Sequence, residues 1–128
     1  MKFKLFLESF EQALQIAKKV AETIHCERGG SCMTFAHEFT EECLRNGITN
    51  FIVVEGWVKN LEYKTNWRQH TWIEMEGQKI DPTFIQFAKN KLSVTYVTRV
   101  KKRYTPEEYI KLDDLYPDEI EYRKRFLK

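Results

Sequence analysis

Between Phe10 and Ile24, apolar residues recur every three or four positions: Phe10, Ala13, Leu14, Ala17, Val20, Ala21 and Ile24. That spacing lines one face of a helix. Ser9 stands just ahead, with Gln12 three positions on, which is a capping-box pattern; the helix is expected to open at Ser9 and end near His25. Cys26-Glu27-Arg28-Gly29-Gly30-Ser31 reads as a loop whose paired glycines permit unusual backbone angles. A second helix is expected from Ser31 or Cys32, with Phe35, Ala36, Phe39, Cys43 and Leu44 inward and Glu38, Glu41, Glu42 and Arg45 outward. Gly47 supplies its C-terminal stop.

The period then changes. Ile48 to Val58 is rich in β-branched and aromatic residues and predicts a strand, whereas Lys59 to Trp67 is polar and predicts a loop. Gln69 to Met75 and Gln78 to Thr83 form an expected hairpin around Gly77, and Ser93 to Val100 a further strand. Thr105-Pro106-Glu107-Glu108 places a cap and an N1 proline at a helix start. Pro117-Asp118-Glu119 opens a last charged helix. Helices first, then an antiparallel sheet, then short helices is an α+β order, expected as one domain over residues 1–128.

Composition narrows the function classes. Hydrophobic residues are 42% and aromatics 14%, a folded-protein composition. Twenty-one basic residues against nineteen acidic leave a formal charge of +2, too little to argue for nucleic acid or an anionic membrane as partner. No apolar run reaches membrane-span length, and Glu8 interrupts the greasy start Met1-Lys2-Phe3-Lys4-Leu5-Phe6-Leu7 before a signal core forms. Three cysteines argue against a disulfide framework, so reduced thiols and a cytoplasmic location are expected.

Three residues carry candidate chemistry. Cys32 follows a glycine-rich loop at a helix N-terminus, where the helix dipole favours a thiolate and the first-turn amides are free to hold an oxyanion. His70 is a suitable base because it titrates near neutrality. Asp81, in Ile80-Asp81-Pro82-Thr83, is suited to orient the imidazole. Putting Asp81 opposite His70 in the hairpin requires Ile73 opposite Gln78 and a four-residue loop, Glu74-Met75-Glu76-Gly77, with positive φ at Gly77.

The same residues carry a resemblance. Gly30-Ser31-Cys32, the helix end Leu44-Arg45-Asn46-Gly47-Ile48, His70-Thr71-Trp72-Ile73-Glu74 and Asp81-Pro82-Thr83 look like the core of the transglutaminase-like superfamily, with its papain-like Cys-His-Asp fold. The resemblance spans Gly29 to Thr83, a little under half of the chain. It implies Cys32 as nucleophile, His70 as base and Asp81 as orienting acid. It further implies a cysteine hydrolase that cleaves a peptide, protein or small amide substrate without a cofactor. Amine acyl transfer is the alternative, and a binding module that keeps the fold without the activity is the non-enzymatic one. The short His70-to-Asp81 spacing and the absence of large flanking domains favour a minimal hydrolase over a crosslinker. Arg28-Gly29-Gly30-Ser31-Cys32 is more weakly similar to the arylamine N-acetyltransferase motif.

Trp72, Gln69 and Trp57 are candidate substrate-binding residues, Trp72 because it shares the His70 face and Gln69 as an oxyanion donor. His25, Cys26, Cys32 and His37 match no standard zinc spacing, so no metal is expected. Arg99, Lys101, Lys102 and Arg103, and again Arg123-Lys124-Arg125, read as solvated surface, balanced by seven acidic residues between Glu107 and Glu121.

Overall fold

A computed structural model describes residues 2–60, 66–83 and 96–128, with side chains placed for 8–59, 66–83 and 97–128. The first helix, α1 (Lys2–Glu22), buries Ala13, Ile16, Ala17 and Val20. It begins well before Ser9, a correction to the expected start. The preceding segment holds no Gly or Pro, and Lys, Leu and Glu are good helix formers, so a capping-box pattern at Ser9 has nothing to interrupt the turns before it. Leu14, expected on the buried face, is 44% exposed, and Ile16 is buried instead.

The second helix, α2 (Ser31–Arg45), packs on α1 and supplies Phe35, Ala36, Phe39 and Cys43 to the core. It ends in a Schellman motif: Ile48 N–H donates to the Cys43 carbonyl and Gly47 N–H to that of Leu44, with Gly47 at φ 73°.

Four antiparallel strands follow: β1 (Ile52–Asn60), β2 (Arg68–Met75), β3 (Gln78–Ile80) and β4 (Tyr96–Tyr104), in the order β3-β2-β1-β4. Lys59 and Asn60, expected in a loop, extend β1, and positions 61–65 of that loop lie outside the described residues. β4 runs on through Lys101-Lys102-Arg103 to Tyr104, while 93–95 of the expected strand lie outside the described residues. As an edge strand, β4 can carry these exposed charges, which also discourage pairing with another chain. Val53, Ile73 and Met75 meet Phe35 and Phe39 in the main core, and Val54, Val58 and Trp72 form a smaller one.

The hairpin register differs from the one expected. Ile73 pairs with Ile80 and Met75 with Gln78, so the loop is the two residues Glu76-Gly77, with φ 49° and 78°. Positive φ at both central positions is type I′ geometry, whose twist matches that of the strands. Gly77 has the expected positive φ, but a four-residue loop does not form.

Two short helices close the chain, α3 (Pro106–Leu115) and α4 (Asp118–Lys124). The Thr105 hydroxyl accepts from Glu108 N–H while the Glu108 carboxylate accepts from Thr105 N–H, the full capping box behind N1 Pro106. Beyond α4, Phe126 and Lys128 bond back to His25 and Thr23, tying the C-terminal segment to the loop that precedes α2.

Candidate functional site

The segment ahead of α2 is a chain of turns: Arg28 N–H donates to the His25 carbonyl, and Ser31 N–H to that of Arg28. The Ser31 hydroxyl donates to the Cys26 carbonyl at 3.0 Å and braces the turn from inside. Gly30 is the N-cap at φ 96°, a conformation L side chains rarely adopt, and it offers no side-chain cap. The first-turn amides beside Cys32 are therefore left to other acceptors.

His70 lies on β2, paired across the sheet with Gly56 of β1, and is 2% exposed. Its Nε2–H donates to Asp81 Oδ2 at 2.7 Å. The second carboxylate oxygen of Asp81 accepts from the Thr83 hydroxyl at 3.0 Å, so both oxygens are held. In the observed register Asp81 follows Ile80, which faces Ile73; it thus lies one diagonal step from His70 rather than directly opposite. A diagonal neighbour on the same face is within reach of a ring and a carboxylate, which is why the pair forms despite the different loop. Burial opposes the charge on His70, but its hydrogen bonds with the side chains of Asp81 and Cys32 outweigh it and push its pKa up to about 9. The sequence-predicted trio Cys32, His70 and Asp81 is thus brought together. Burial drives the Cys43 thiol up to about 12, and burial with the Glu27 carboxylate raises Cys26, so those two remain neutral thiols.

Cys32 and His70 open onto a cleft of about 560 Å³. Trp57 and Gln69 lie on its wall, as a substrate-contacting role requires. Trp72 does not: it is 1% exposed, packed with Val54 and Val58, and its ring stacks on His70 at 6.0 Å. Its place is beneath the imidazole, where no substrate reaches it, a correction to its expected role. The ring lies against Gly56, where a Cβ would sit 2.9 Å from it, so the absence of a side chain at that position leaves it room.

The far wall comes from α3 and α4 and was not foreseen. Tyr109, Asp113, Glu119, Tyr122 and Arg123 face the cleft. Arg123, expected on the surface, is 7% exposed and donates to both oxygens of Asp113 at 2.7 and 2.9 Å. His37 Nε2–H donates to the same carboxylate at 2.7 Å, and the Thr34 hydroxyl donates to the Arg123 carbonyl. This network pins α4 to α2. A run of three basic residues gives no hint that one of them turns inward. His37, Glu38 and Glu41 could together hold a metal ion, yet Nε2 of His37 is already engaged with Asp113, and Glu41 pairs with Arg45.

Among the described residues no helix is long and apolar enough to cross a membrane. Fold and site together define an α+β protein with a buried Cys-His-Asp cluster at the mouth of a cleft. Comparison of the chain with protein-family models, with curated proteins and with solved structures finds no match.

Proposed function

We propose that the chain is a cysteine hydrolase of transglutaminase-like, papain-type architecture, using Cys32 as nucleophile, His70 as base and acid, and Asp81 to orient the imidazole. The supporting observation is that one buried imidazole is hydrogen-bonded by Asp81 and also engages the side chain of Cys32. With Nε2 given to Asp81, Nδ1 is the nitrogen left to the thiol. His70 takes the thiol proton and the thiolate attacks the carbonyl carbon of an amide. The C–S bond forms, the C–N bond breaks, and the imidazolium returns the proton to the departing amine. Water, deprotonated by His70, then cleaves the thioester and releases the acid. The raised pKa of His70 favours the proton on the imidazole, so its transfer from the thiol is downhill and leaves a thiolate beside an imidazolium.

Iodoacetamide alkylation followed by peptide mapping tests this reading. Cys32 is expected to be labelled at neutral pH while Cys26 and Cys43 stay unmodified, and His70→Ala is expected to slow labelling at least about tenfold. Labelling that rises only near the ordinary thiol range of about 8.5, and is the same in His70→Ala, would overturn it. Acyl-enzyme prepared on Cys32 should decay to the free acid in water. Preferential capture by an added primary amine would instead establish amine transfer.

A further inference from the structure

We propose that the Tyr122 hydroxyl is the side-chain donor of an oxyanion hole beside Cys32, completing it with the first-turn amides of α2. The inference rests on the Cys32–His70 reading and adds a residue to it. The N-cap of α2 is a glycine with no capping side chain, and Ser31 N–H is taken by the Arg28 carbonyl, so the amides that follow in that turn, Cys32 among them, meet no capping side chain. A Cβ built on Gly30 would stand 2.4 Å from Tyr122 Oη, so the phenol occupies the space a side chain would take, two residues from the nucleophile. Tyr122, Gly30, Cys32 and His70 all line the same cleft.

The phenol is also held in place. Its ring packs edge-on to Phe126 at 5.4 Å and 66°, and Phe126 is itself bound through its carbonyl to His25 N–H at 2.8 Å. The Thr34 hydroxyl bonds the neighbouring Arg123 carbonyl at 2.9 Å. Both anchors come from the segments that flank Cys32, which ties the phenol to the same part of the fold as the nucleophile. Preorganised donors aimed at developing charge lose nothing to reorganisation when the charge appears. Gln69, the other side-chain donor on the cleft wall, is exposed and has no hydrogen bond fixing its amide among the described residues.

Two thiol reagents separate this role from that of the base. p-Nitrophenyl acetate acylates a thiolate through a tetrahedral oxyanion, forming the C–S bond and expelling nitrophenolate. Iodoacetamide alkylates the same sulfur by displacing iodide, with no oxyanion. Tyr122→Phe keeps the ring on Phe126. It is expected to slow acylation of Cys32 by about ten- to a hundredfold while leaving alkylation within about twofold of wild type. Tyr122→Leu should slow acylation to the same extent, provided its thermal unfolding shows a folded protein. Equal acylation rates in wild type and Tyr122→Phe would overturn the proposal, as would a parallel fall in both reactions, since Tyr122 would then only position the thiolate. If His70→Ala alkylates as fast as wild type, the Cys32–His70 reading fails, and this proposal with it.

Discussion

A histidine with 2% exposure ordinarily sheds its proton, yet burial is outweighed at His70 by its hydrogen bonds to Asp81 and Cys32, and its pKa rises to about 9. The folded state therefore holds a proton that the unfolded chain gives up near 6.5. This contribution to stability is fully present below pH 6.5 and is lost as pH climbs through about 9. Urea unfolding should show stability declining across that window, by on the order of 2 kcal/mol, and His70→Gln should flatten the decline. An unchanged slope in the variant would place the proton on another group. The trio's residue types could be read from the sequence only as a set, because a cysteine at a glycine-led helix start, a strand histidine and an aspartate before proline are each common alone and coherent together. The fate of Trp72 could not: strand alternation put it on the His70 face, but its burial against Val54, Val58 and the bare Gly56 depends on the neighbouring strand.

At the scale of elements, two glycines with positive φ do different work. Gly47 ends α2 at φ 73° and a Cβ there would meet nothing within 4 Å, so Gly47→Ala should cost about 1 kcal/mol and leave Cys32 chemistry alone. Gly30 sits at φ 96°, and its Cβ would collide with Tyr122 and crowd Phe126. Gly30→Ala should cost about 2 kcal/mol or more and also slow acylation of Cys32, read by denaturant unfolding and by nitrophenolate release. Equal losses of stability in the two variants, with no loss of acylation in Gly30→Ala, would contradict this. The hairpin makes a related point. Glu76-Gly77 turned out to be the loop because a type I′ turn needs positive φ at both central residues, and Glu76 accepts it at 49°. A glutamate gives little sequence signal for that angle, and the four-residue loop was expected because it sets Asp81 directly opposite His70. The diagonal from Asp81 to His70 preserved the contact because both registers differ by an even number of residues, which keeps the same face inward.

For the whole molecule, the question is what holds the C-terminal helices over the cleft. Arg123, Asp113 and His37 join α4, α3 and α2 in one buried network. Removing one partner of such a pair leaves the other charge uncompensated, so Arg123→Ala should lower stability by about 3 kcal/mol, measured by the urea midpoint. Arg123→Lys should recover only part of this, because an ammonium cannot bond both oxygens in a fork. A midpoint unchanged in Arg123→Ala would mean that α4 is held by Phe126 and the Ile24–Leu127 bridge instead. The α+β order, the span of α2, the Thr105 cap and the trio of residue types all follow from local period and local chemistry, since helix faces, caps and strand alternation are set by neighbours in sequence. The register of the hairpin, the inward turn of Arg123, the burial of Trp72 and the wall that α3 and α4 raise beside Cys32 do not. Each depends on which distant backbone comes close, and that is decided only when the sheet twists, the helices pack on it and every buried charge finds a partner.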